Sequence, residues 1–213
     1  MNKRHHFIYL SIVLFCFSFT HQQGDYKEIT DKAAIEASIQ ETLQSTTTLK
    51  SDFVQEKELS VMSETIVSEG SFYFKKENKI RWEYTTPYPY TIIINNNDVV
   101  IDDEGEISEY DINSNKVFQQ VHEIMEACLK GTIVYDKRYD QSFYENESTV
   151  KAILHPKEKN IRDYITSIEI YLSKKDFTVE KIIISDAESD RTVIRFKNTT
   201  VNADIPDHTF TTD

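Results

Sequence analysis

Residues 70–90 read GSFYFKKENKIRWEYTTPYPY. Two aromatic-rich runs flank a short charged turn, and the second carries Trp82, the chain's one tryptophan. There Ile80, Trp82 and Tyr84 alternate with Arg81 and Glu83. A period of two sends the apolar set to one face of a strand and the charged set to the other, toward water. Phe72 and Phe74 share that pattern on the run before, and Ile92 and Ile94 on the run after. The hairpin therefore presents a bulky apolar face. That face either fills an ordinary core or lines a cavity for a greasy ligand.

Working outward, the same alternation continues. Upstream, Asp31–Thr46 reads as a helix, with Asp31 or Thr30 as cap and Ile35, Ile39 and Leu43 at every fourth position. Strands follow at Phe53–Leu59 and Ile66–Lys75, with Gly70 marking a bulge or a close backbone approach. Glu77-Asn78, Asn95–Asp98 and Glu104-Gly105 are turn signals between further strands. Lys116–Lys130 switches to helical spacing, with Val117, Val121, Ile124 and Met125 on one face and Gly131 as its stop. Five more strands run from Tyr139 to Asn198, and Phe210 forms an apolar anchor near the C-terminus. The pattern predicts an α+β fold of about ten or eleven strands in one antiparallel sheet, with two or three helices. A sheet of that width curls, and the helices would cover its concave face as a lid.

The 213 residues suit one domain or at most two. Lys3 and Arg4 precede an apolar run from Phe7 to Phe19, and polar residues follow from Thr20. That is the layout of a secretory signal peptide, assigned to residues 1–24, with the functional domain at 25–213. An uncleaved anchor is the rival reading, but the run is short of the roughly 20 residues a spanning helix needs. Without the leader one cysteine remains, Cys128, so no internal disulfide is possible and the core must hold the fold. The formal charge of −12 argues against nucleic acid and anionic membrane surfaces as partners.

Catalytic motifs are scarce. His122-Glu123 begins like a zinc helix, but Glu126 stands where the second His belongs. The acidic run Asp102–Glu106 lacks the alternation of a calcium loop. Four glycines leave no phosphate-cradling loop. The residues point to no metal, no cofactor and no enzyme. Aromatic side chains, 12% of the chain, carry the weight instead.

Several of these features, in order, resemble the LolA family of periplasmic carriers of outer-membrane lipoproteins. They are the leader and first helix, Phe53-Val54-Gln55, the Gly70–Phe74 strand, the basic Lys75-Lys76, and Arg81-Trp82-Glu83-Tyr84. Pro87, the Ile-rich strand from Tyr90 to Ile94 and Tyr110-Asp111 complete the set. The resemblance implies an incomplete barrel with a helical lid over a hydrophobic cavity. Its acyl-binding residues would be Phe72, Phe74, Ile80, Trp82, Tyr84, Ile92 and Ile94, with Val117, Val121, Ile124 and Met125 from the lid. It also implies a monomer in the periplasm. Such a protein takes lipoproteins from an ABC-type release complex in the inner membrane to an acceptor in the outer membrane. The family's turn commonly reads basic–Arg–Pro, and its Arg is held to latch the lid; here Lys76 and Glu77 stand in those places. Lys76 is thus the latch candidate, as a point charge without the guanidinium fork. A lipid- or lipoprotein-sensing domain on the same curved sheet is the alternative function.

Overall fold

The computed structural model describes residues 25–62, 64–76, 78–112 and 136–212. Their organising element is one antiparallel sheet of twelve strands. In chain order these are β1 (Lys27–Glu28), β2 (Thr48–Glu58), β3 (Thr65–Lys75), β4 (Lys79–Thr86), β5 (Tyr90–Asn95) and β6 (Asp98–Asp103). They continue with β7 (Glu106–Asp111), β8 (Tyr139–Glu145), β9 (Thr149–Pro156), β10 (Ile165–Ser173), β11 (Val179–Asp186) and β12 (Arg191–Val201). The spatial order β1-β8-β9-β10-β11-β12-β2-β3-β4-β5-β6-β7 leaves the sheet unclosed, with β1 and β7 at its ends. The strand beyond the expected number is β1. Its two residues pair with Glu145 and Tyr144 of β8, too short a run for alternation to register.

Register gives the sheet one continuous inner face. From β8 it runs through Phe143, Ala152, Ile170, Ile182 and Ile194. Across β2 to β5 it continues as Phe53 and Gly70, then Phe72, Trp82 and Ile92. Two buried clusters occupy it. The first joins Phe143, Val150, Ala152, Leu154, Ile168, Ile170 and Leu172 to Ile39 of helix α1 (Lys32–Ser45). The second joins Phe53, Phe72, Phe74, Ile80, Ile94 and Val99 with Ile112 and Ile194.

Helix α1 starts where Asp31 accepts a hydrogen bond from the Ala34 amide at 3.4 Å. It carries no basic residue in its last turn. Its terminal carbonyls are served from outside: Asn202 Nδ2 donates to Ser45 O at 3.2 Å, and Lys76 Nζ donates to Gln44 O. Donors there satisfy carbonyls that the helix itself leaves unpaired. Among the described residues α1 is the one long helix; α2 (Lys159–Arg162) is a single turn in the polar connection after β9. The lid of two or three helices is not established, because residues 116–130 lie outside the described residues.

The outward-pointing side chains of β3 to β6 do not meet open water as expected. The chain after β12 crosses this outer face, and Ile205 and Phe210 bury against Ile93, Tyr73 and Val100. Lys75 Nζ donates to Ile205 O at 3.0 Å and to Asp207 at 2.8 Å, and Lys79 reaches the same carboxylate at 3.1 Å. Arg81 pairs with Glu83 at 3.0 Å and points Nη1 at the carbonyls of Thr209 and Thr211. Phe210 is the expected anchor, 1% exposed, in a 3-10 turn at Asp207–Phe210.

Candidate functional site

The aromatic side chains gather around Trp82 on the inner face. Its ring centroid lies 4.7 Å from Phe53, 5.2 Å from Phe72, 6.2 Å from Phe196 and 6.3 Å from Tyr84. Phe53 also meets Tyr84 edge-on at 5.2 Å. Tilted and edge-to-face arrangements at these distances suit the ring quadrupoles. Gly70 makes the arrangement possible. It pairs with Phe53 on one side and Tyr84 on the other, next to a register shift at Glu69/Gly70. A Cβ there would lie 1.9 Å from the Glu83 carbonyl oxygen and 2.8 Å from Phe53 Cζ. The ring of Phe53 therefore covers bare backbone, as aromatic residues do beside strand glycines.

The Phe53-Val54-Gln55 run acquires a geometric reason as well. With a period of two, Phe53 and Gln55 share the inner face, and the Tyr84 hydroxyl donates to Gln55 Oε1 at 3.1 Å. Burial pushes the Tyr84 phenol above its ordinary range, and the nearby Trp82 and Gln55 side chains oppose that without outweighing it. The Trp82 indole N–H is buried, yet among the described residues it makes no hydrogen bond of good geometry. A buried indole N–H normally finds an acceptor.

The seven sheet residues Phe72, Phe74, Ile80, Trp82, Tyr84, Ile92 and Ile94 thus stand together on one face. The sequence missed Phe53, Phe196, Leu49 and Ile101 as their companions. Phe53 and Leu49 come from β2 and Phe196 from β12, neighbours only through long-range pairing. Val117, Val121, Ile124 and Met125 lie outside the described residues. The two adjacent lysines have separate destinations: Lys75 holds the C-terminal segment on the outer face, and Lys76 reaches α1.

A groove of about 440 Å³ lies on the opposite, outer face, between the C-terminal segment and β4–β7. Its walls include Arg81, Glu83, Asp102, His208 and Thr211. That polar lining does not suit an acyl chain, and the sheet separates it from the aromatic cluster. Among the described residues no three His, Cys, Asp or Glu side chains converge as metal ligands would.

Comparison with known proteins bears on this geometry. The chain is similar to the Pseudomonas aeruginosa MucA/MucB complex structure, with a TM-score of 0.50 and 10% identity over 86% of this chain and 61% of that one. It is similar to an uncharacterised conserved protein from Thermus thermophilus, with a TM-score of 0.51 and 9% identity over 84% and 91%. A LolA superfamily protein from Nitrosomonas europaea gives 0.45 and 10% over 83% and 97%. No curated protein sequence matches the chain. The family model described as outer membrane lipoprotein carrier protein LolA matches residues 44–213, and the chain, with its open sheet and inner aromatic face, belongs to the LolA family.

Proposed function

We propose that this protein carries lipoproteins across the periplasm, from an ABC-type release complex in the inner membrane to an acceptor in the outer membrane. Its leader, residues 1–24, directs export and is removed. The acyl chains lie on the inner face of β2–β6. One observation carries this reading: among the described side chains, helix α1 contributes Ile39 and Ile35 to the first cluster and none to the second. Trp82, Tyr84, Ile92, Ile101, Leu49 and Phe196 pack there only partly buried. A buried methylene gains about 0.8 kcal/mol, so one long acyl chain gains on the order of 10 kcal/mol on leaving water. A carrier must offset most of that and still release its cargo. A loosely closed aromatic surface suits the task better than a tight core. The Trp82 N–H offers a donor to an ester carbonyl. Carriage requires no catalytic group, in keeping with a family named for a carrier.

Lys76 has a place in this reading. Its bond to Gln44 O joins the β3–β4 turn to the end of α1, so displacing α1 would break it. The experiment is mass spectrometry of molecules co-purified from the periplasm, with Trp82 fluorescence during titration of a long-chain acyl probe. Diacyl or triacyl species and a saturable fluorescence change are expected. Neither appearing would overturn the proposal.

A second reading is a lipoprotein-sensing domain that binds a signal rather than moving cargo. The same fold occurs in the MucA/MucB complex structure, where the chain spans 61% of the matched chain's length. Acyl binding without transfer to acceptor membranes would select it.

A further inference from the structure

The outer face of β8–β11 holds an alternating row of tyrosines and lysines. Register sets Tyr144 opposite Lys151, Lys151 opposite Tyr171, and Tyr171 opposite Lys181, with Arg195 next. Each alternates along its strand with an inner-face residue such as Phe143, Ala152, Ile170 or Ile182, so the row points away from the core. Tyr26, just ahead of β1, closes on the same place and meets Tyr171 edge-on at 6.2 Å. Lys151 Nζ lies 4.8 Å from the Tyr26 ring centroid and 5.0 Å from that of Tyr144. Lys181 Nζ lies 3.6 Å from the Tyr171 centroid.

These rings hold two ammonium groups in position without neutralising them. Arg195 pairs with Glu56 at 2.8 Å and Arg191 with Glu58 at 3.6 Å. Among the described residues neither Lys151 nor Lys181 forms an ion pair. Glu169 faces the row and accepts the Tyr171 hydroxyl at 2.7 Å, and Glu28 stands at its rim beside Tyr144. Lys181 holds its proton less tightly than an ordinary lysine, first because of burial and then because of Arg195. Glu169 opposes that shift, and Arg191 and Lys151 add to it.

We propose that this row is a docking surface for an anionic phospholipid bilayer, with Lys151 and Lys181 meeting headgroup phosphates and the tyrosine rings lying at headgroup level. Lysine stems on aromatic faces and amphipathic tyrosines are the chemistry of the membrane–water interface. The net charge of −12 argues the other way only if it is spread evenly. It is not: residues 82–115 contain eight acidic and no basic residues, and β6 lies eight strand positions from β9. Charges farther away than about 8 Å are largely screened at physiological salt. The inference stands apart from the acyl-binding reading, because it concerns the opposite face and its test needs no cargo.

The test is flotation of the exported protein, freed of its leader, with phosphatidylcholine vesicles, with and without phosphatidylglycerol. Binding to the anionic vesicles alone, weakening as salt rises, is expected. Each phosphate-facing lysine contributes roughly a fivefold effect, so Lys151→Gln with Lys181→Gln should reduce binding by at least about tenfold. Lys151→Arg with Lys181→Arg should restore it. The control pair Lys137→Gln with Lys159→Gln removes the same charge from exposed sites elsewhere and should change little. Failure of the wild type to float, an equal loss in the control, or no rescue by arginine would each overturn the proposal. So would capture by immobilised polyglutamate without vesicle binding, which would give the row to an acidic polypeptide.

Discussion

The two halves of the inner face obey one alternation and end in different states. Under α1, on β8–β11, the side chains are mostly aliphatic, and Phe143, Val150, Ala152 and Leu154 are fully buried. Among the described residues the cluster on β2–β6 and β12 holds six aromatic rings in fourteen apolar side chains, against three in fifteen in the first, and six of its members are partly buried against five. Short branched side chains close up under one helix. The large rings meet one another tilted and edge-on, as their quadrupoles favour. The comparison suggests a division of labour, in which the first half stabilises the molecule and the second stays adaptable.

Mutations can break that comparison. Phe143→Ala leaves a void in the closed half, and a loss of about 3–5 kcal/mol is expected from urea unfolding. A much smaller loss would mean that this half also relaxes around ligand-sized spaces. Gly70→Ala comes next, at about 3 kcal/mol, because the new Cβ meets a carbonyl oxygen of the neighbouring strand rather than a movable side chain. It would show that adaptability in the aromatic half belongs to side chains and not to the sheet. Wild-type stability in Gly70→Ala would refute the close approach.

Trp82→Phe should cost only about 1 kcal/mol in unfolding, since lost ring contact is offset by removing a buried donor that makes no well-formed hydrogen bond among the described residues. Its affinity for an acyl probe, read by displacement of a fluorescent fatty acid, should fall several-fold. A large stability loss with unchanged affinity would turn the aromatic half into ordinary core. Lys76→Leu should cost about 0.5 kcal/mol, a donor near a helix C-terminus. Cargo loading should stay normal while transfer to acceptor membranes slows. Transfer at the wild-type rate would make the bond to Gln44 incidental.

The smallest effect concerns the outer strap. Hydrogen bonds from Lys75 and Lys79 hold the Asp207 carboxyl below the usual carboxylate range. A lowered folded-state pKa contributes stability above the ordinary value, and that contribution is lost as pH falls through the lowered one. Protection of the amides in Ile205–Phe210, taken relative to their intrinsic exchange rate at each pH, should therefore be high at neutral pH and fall below the ordinary carboxylate pKa. Asp207→Asn should lower that protection already at neutral pH. Exchange independent of both changes would leave the anchoring to Phe210 alone.

Sequence alone determined the local periodicities and their punctuation. Alternation placed Phe72, Phe74, Ile80, Trp82, Tyr84, Ile92 and Ile94 on one face, because a strand's side-chain period admits no other outcome. The Asp31 cap, the Gly70 anomaly, the Phe210 anchor and the strands from β2 to β12 were legible for similar reasons of local chemistry. Tertiary structure alone decided which strands are neighbours. It brought Phe53 and Phe196 to Trp82, sent Lys75 and Lys76 to opposite faces, folded the C-terminal segment over Arg81, and lined up Tyr144, Lys151, Tyr171 and Lys181. Those outcomes depend on pairing between segments far apart in the chain, as with β12 against β2. Periodicity within one segment carries no information about its partner.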